Sequence, residues 1–151
     1  MHLRRVRDPI ARVTFGLPPG WIVPRNCCAL EDPNPSRLLV TSFRLAGWDS
    51  AEDCFNAVQI VPRSPKTAVL VFFLEDEGQF GSPFPRRPRH FSLAHTKPQL
   101  GECVNAPTYR FRFRDAGRNF QAFVVVRSKA TAKTRKQAME VLDTFHVERR
   151  Q

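Results

Sequence analysis

Between Ile10 and Leu17 the chain alternates, with Ala11, Val13, Phe15 and Leu17 on one side and Arg12, Thr14 and Gly16 on the other. This two-residue period predicts a half-buried strand. Pro18-Pro19-Gly20 then turns the chain, and Trp21 to Val23 is expected to return beside that strand. From Cys27 to Ser36 the asparagine, aspartate and prolines read as a loop, and Arg37 to Leu45 as the next strand. Ser50 with Asp53 is a variant of the capping box, and Cys54, Phe55, Val58 and Val61 follow at helical spacing, predicting a short helix that Pro62 ends. Thr67 to Leu74 is apolar almost throughout, as a strand buried on both faces should be, and Glu75-Asp76-Glu77-Gly78 reads as its exit into solvent. Prolines 83, 85, 88, 98 and 107 then impose mostly extended loop, with an edge strand expected near Arg89 to Leu93.

The most informative stretch is YRFRFRDAGRNFQAFVVV, residues 109–126. If Tyr109, Phe111 and Phe113 face one way, Arg110, Arg112 and Arg114 face the other. After the turn, Phe120, Ala122, Val124 and Val126 share a face. The two apolar sets meet only if the loop holds an even number of residues, either Ala116-Gly117 or Asp115 through Arg118. Phe113 then opposes Phe120 and Phe111 opposes Ala122. The same parity argues against an RNA-recognition sheet, because Phe120 and Phe123 emerge on opposite faces and cannot form one stacking platform. An arginine ladder remains, with Asn119, Gln121 and Arg127 across from it. Phe123 and Val125 interrupt that face, which suggests that the following helix covers part of it.

That helix is expected from a Thr131 cap to about Thr144, with Thr134, Ala138, Val141, Leu142 and Phe145 on its apolar stripe. Lys133, Lys136, Gln137, Glu140 and Asp143 fall opposite. Its charge order runs against the helix dipole: Lys133, Arg135 and Lys136 lie early, Glu140 and Asp143 late, each unfavourable by about 0.3–1 kcal/mol at a surface. With Arg127 and Lys129 they ring the helix start with cations, a place for a phosphate or carboxylate.

These elements predict an α+β fold: an antiparallel sheet with a short middle helix and a C-terminal helix packed on it, residues 10–148 forming one domain behind a basic N-terminal arm, residues 1–9. At 151 residues the chain suits a single domain. Thirteen phenylalanines against one tyrosine favour a dry aromatic core. The formal charge of +10 is confined to one part of the chain: residues 1–85 hold nine basic and nine acidic side chains, residues 86–151 fifteen and five. Such asymmetry points to an acidic protein or polyanion, with nucleic acid as an alternative partner, or serves only solubility.

Catalytic signatures fail. No phosphate-cradling glycine loop or serine nucleophile elbow occurs. His90, His95 and Cys103 match no zinc spacing, so neither metal nor cofactor is expected. An enzyme of unknown type remains a third reading, resting on the acidic run at residues 75–77 and the His90/His95 pair. Cys27 and Cys28 diverge in an extended chain. Cys54 and Cys103 can pair as a disulfide if the protein is exported, and stay reduced in a cytosol. No apolar run approaches the roughly 18 residues of a membrane span, and MHLRRVRDPI lacks the apolar segment of a secretory signal, so the chain as written reads as cytoplasmic, or as exported if its start lies further upstream. The candidate anion-binding residues are therefore Arg110, Arg112, Arg114, Arg127, Lys129, Lys133, Arg135 and Lys136.

GLPPGW, FPRRPRHF, FRFRDAGRNFQAFV and AMEVLDTFHV together resemble a family of small uncharacterised actinobacterial proteins over residues 10–148. The first strand, the PPGW turn and the terminal helix are also similar to Mog1/PsbP-like α+β domains. That second resemblance implies helices packed on an antiparallel sheet, and a binding or assembly role without catalysis.

Overall fold

The computed structural model describes residues 2–9, 11–24, 37–44, 61–76, 84–101 and 104–149. They form an α+β domain of two antiparallel sheets. The smaller sheet has the order β1-β2-β8, from β1 (Arg4–Asp8), β2 (Val13–Leu17) and β8 (His146–Val147). In the larger sheet the order is β3-β4-β7-β6-β5, from β3 (Arg37–Thr41), β4 (Val69–Asp76), β7 (Arg118–Val126), β6 (Val104–Asp115) and β5 (Gln99–Gly101). The one helix described along its length, α1 (Ala132–Thr144), packs against β2 and β4.

The core follows from strand parity. Val69, Val71, Phe73, Phe113, Phe120, Ala122, Val124 and Val126 line the inner face of the large sheet and meet Ala138, Val141, Leu142 and Phe145 of the helix end. The Phe145 ring stacks on Phe73 at 4.2 Å and meets Phe113 and Phe120 edge-on. Burying each such ring contributes about 1.5–3 kcal/mol. Thr131 caps α1 as the sequence predicts, its hydroxyl accepting the Thr134 N–H at 3.2 Å.

Several expectations are corrected. The basic arm, residues 1–9, is not separate from the sheets: Arg4–Asp8 is strand β1, paired along β2 from Arg4 opposite Leu17 to Asp8 opposite Val13. A single inward side chain, Val6, suffices to seat it on the core. Trp21 to Val23 does not return beside β2, because β1 and β8 already occupy both of its edges; instead Ile22 exchanges two 2.9 Å backbone hydrogen bonds with Thr41 of β3. Residues 89–93 form no strand. Phe91 turns inward there, its N–H held by Asp143 Oδ1 at 2.8 Å, and Gln99–Gly101 takes the sheet edge. Residues 61–63 are helical, so Pro62 lies within helical backbone; the rest of the expected middle helix, Ser50 to Ile60, lies outside the described residues.

The covering of the ladder's face is also different from expectation. Helix α1 lies on the opposite, inner face, where its stripe finds the phenylalanines. Val125 instead joins a second cluster with Leu39, Val61, Ala68, Leu70 and Ala106. Gln137, assigned to the solvent side, is buried, and its Oε1 accepts the Trp21 indole N–H at 3.1 Å. A buried indole N–H needs an acceptor, and the amide supplies it.

Candidate anion-binding site

The β6–β7 hairpin turns through Ala116 and Gly117, both in the left-handed region at φ 51° and 75°. Two consecutive left-handed residues make the two-residue turn whose twist suits the flanking strands. The register is the one the alternation requires: Phe113 opposes Phe120 and Phe111 opposes Ala122. Arg110, Arg112 and Arg114 consequently project together from the outer face, all exposed, at intervals of about 6.7 Å along the strand.

Each arginine is held differently. Arg110 Nε donates to Gln121 Oε1 at 2.8 Å, and Gln121 Nε2 donates to Asp76 Oδ2 at 3.2 Å, a polar chain across three strands. The Arg112 guanidinium lies 4.3 Å from the centre of the buried Phe84 ring, close enough for a cation–π contact. Arg114 makes no side-chain hydrogen bond or ion pair among the described residues, while its backbone N–H and carbonyl bond Pro85 and Arg87. The ladder is thus oriented along its length, and among the described residues none of its three guanidiniums forms an ion pair.

The remaining predicted cations do not join it. Arg127 follows β7 at the far end, its N–H bonded to Ala68, and Lys129 bonds Lys66 in the same way. Asn119, the partner of Arg114, and Arg127 are eight residues apart on one extended segment, about 26 Å. Lys129, Lys133, Arg135 and Lys136 are exposed around the start of α1, toward the inner side of the sheet. Arg127 is half-buried, and its Nε has no hydrogen-bond partner among the described residues. The eight residues therefore form two separate cationic regions.

Three functional relationships escaped the sequence reading. Arg118 is buried and uses all five N–H groups: Nε and Nη2 grip the Glu75 carboxylate at 3.0 and 2.8 Å, and Nη1 and Nη2 reach the carbonyls of Arg12, Glu148 and Ala11. This guanidinium ties the small sheet to the large one. Glu75 is accordingly no solvated turn residue. Arg87 supplies what the helix sequence lacks, because Nη2 donates to Leu142 O at 2.7 Å and Asp143 O at 2.9 Å, Nη1 donates to Phe145 O, and Nη1 also meets Asp115 at 3.1 Å. A cation from a distant segment thus meets the negative end of the helix dipole. Finally, Arg7 and Glu148 form a paired hydrogen bond at 3.0 and 2.9 Å, and that bond holds the Glu148 carboxyl below its ordinary pKa.

Parity signalled the first of these. Arg118 shares its face with Phe120, and Glu75 shares its face with Val71 and Phe73, so two opposite charges were bound to meet inside.

Other candidates are not assembled. His90 is exposed, 3.5 Å from Asp143, and among the described residues no three His, Cys, Asp or Glu side chains are grouped to hold a metal. Cys27, Cys28, Cys54 and Cys103, with Glu77, lie outside the described residues. No helix among the described residues is long and apolar enough to cross a membrane. Fold and geometry together define the class: an α+β domain whose central hairpin presents a basic outer face. Neither a family model nor a curated protein matches the sequence.

Proposed function

We propose that this chain is a non-enzymatic binding module that contacts an acidic protein or other polyanion through the outer face of the β6–β7 hairpin. The observation that carries this reading is the row of Arg110, Arg112 and Arg114, exposed on one strand and, among the described residues, in no ion pair with a carboxylate. Guanidinium groups suit such a role because each forks onto a carboxylate, sulfate or phosphate. Their two-residue interval matches the interval of alternate side chains in an extended acidic peptide. The resemblance to Mog1/PsbP-like domains agrees with a role in binding rather than catalysis.

Polyglutamate and heparin binding by wild type and by an Arg110→Gln/Arg112→Gln/Arg114→Gln variant tests this. Binding lost in the variant is expected, and unchanged binding removes the ladder as its carrier. Single-stranded nucleic acid is the competing partner. It takes precedence if it binds more tightly than polyglutamate at equal salt and its affinity falls with a steep logarithmic salt slope.

A further inference from the structure

A second cationic feature lies where the hairpin ends. A cleft of about 760 Å³ is lined by Arg86, Arg87, Arg114, Asp115, Ala116, Gly117, Arg118 and Arg149. Five of these eight residues are arginines, yet they are not equivalent. Arg118 is fully used by Glu75 and three carbonyls, and Arg87 by the helix end and Asp115. Asp115, the one carboxylate among the described lining residues, is thereby taken. Arg86, Arg114 and Arg149 are left exposed, without a side-chain hydrogen bond or ion pair among the described residues.

The backbone holds these three in place. Arg86 and Arg114 are partners in a parallel bridge, fixed by Arg114 N–H to Pro85 O at 2.7 Å and Arg87 N–H to Arg114 O at 3.1 Å. Arg149 follows Glu148, whose N–H bonds Arg12 O at 3.1 Å and whose carbonyl accepts Arg118 Nη1 at 3.0 Å. The buried Arg118 therefore fixes the backbone beside a third cation of the same lining. Three positive charges around one concavity, unpaired among the described residues, focus a positive potential into it.

We propose that this cleft binds a chain of phosphates. Dense negative charge is required to satisfy three guanidiniums lining one cleft, and phosphate oxygens match their paired donors. Among the described residues the lining holds no aromatic ring and no aliphatic side chain larger than Ala116, so these residues offer no platform for a nucleobase or acyl chain. Recognition falls on the phosphates themselves, whether these belong to an inorganic oligophosphate or to the triphosphate of a nucleotide. This goes beyond the ladder reading and shares only Arg114 with it.

Calorimetric titration with inorganic tripolyphosphate at physiological salt tests the cleft, using variants that leave Arg114 in place. One site per chain is expected, with orthophosphate at least tenfold weaker. Arg86→Gln/Arg149→Gln should weaken tripolyphosphate tenfold or more, whereas Arg110→Gln/Arg112→Gln should stay within threefold of wild type. ATP binding as tightly as tripolyphosphate identifies a nucleotide's triphosphate as the source, and ATP tenfold weaker identifies an inorganic chain. Undetectable tripolyphosphate binding, or equal loss in both double variants, overturns the proposal. Because the ladder is read separately with polyglutamate, either proposal can fail while the other stands. Both variants alter exposed side chains, and an unchanged thermal midpoint shows that the fold is intact.

Discussion

The guanidinium of Arg118 and the carboxylate of Glu75 face each other through two hydrogen bonds, 2.8 and 3.0 Å long, with 5% of each side chain exposed. Their strands are neighbours in the large sheet, and the remaining Arg118 donors reach into the small one. Stability on one side and placement of the cleft on the other meet in this pair. Removing one partner leaves a buried charge uncompensated, so we expect Glu75→Ala to lower the unfolding free energy by about 3–5 kcal/mol. Replacing both with apolar residues of similar volume should cost less than the two single changes summed. Denaturant unfolding across the double-mutant cycle measures this, and a Glu75→Ala loss below about 1 kcal/mol would contradict it.

Arg87 should behave as a remote cap of α1. Its side chain donates to three carbonyls at the helix end, and no basic residue occupies the last turn. We expect Arg87→Met to lower stability by about 1.5–3 kcal/mol, the range for hydrogen bonds to a charged group. Arg87→Lys should recover less than half of that, because an ammonium cannot fork across adjacent carbonyls. Hydrogen exchange in the last turn of α1 should quicken in both variants; protection equal to wild type would count against the cap.

The hairpin turn offers two changes of opposite sign. Ala116 holds φ 51°, a left-handed conformation that costs an ordinary residue about 1–2 kcal/mol but that asparagine tolerates. Ala116→Asn should therefore stabilise by about 0.5–1 kcal/mol, and Gly117→Ala, at φ 75°, should destabilise by about 1 kcal/mol or more. Thermal midpoints that move in the same direction would exclude this turn geometry.

Glu148 gives a pH signature. The Arg7 hydrogen bond holds its carboxyl below the ordinary glutamate range in the folded chain. Its contribution is present above the unfolded-state pKa and is lost as pH falls through the lowered folded value. Arg7→Gln should raise the Glu148 pKa, read by carboxyl-carbon NMR, and the stability gap between variant and wild type should close on acidification. A gap that is constant between about pH 6 and 2 would rule the linkage out.

Local relations were legible in the chain, and distant ones were not. Strand parity alone fixed the register of Phe113 on Phe120, and Thr131 announced the start of α1. Arg4–Asp8 resembled a separate arm because four of its five residues are charged, and the edge of a small sheet asks for only one apolar side chain, Val6. Gln137 fell on the polar face of a helical projection that carries no record of Trp21, its partner far along the chain. Similarly, α1 carries no cation in its own last turn, and the one that meets its C-terminal carbonyls, Arg87, comes from a distant segment. Of the candidate site, Arg110, Arg112 and Arg114 were readable from alternation, whereas Arg86 and Arg149 needed the tertiary contacts that bring residues 86, 114 and 149 to one cleft.

Backbone amide NMR during titration with polyglutamate tests the hairpin-face reading most directly. The expected result is saturable shift changes centred on Arg110, Arg112, Arg114 and Gln121, abolished by the triple arginine-to-glutamine variant. Changes centred instead on Lys133, Arg135 and Lys136, or unaltered by that variant, would contradict it.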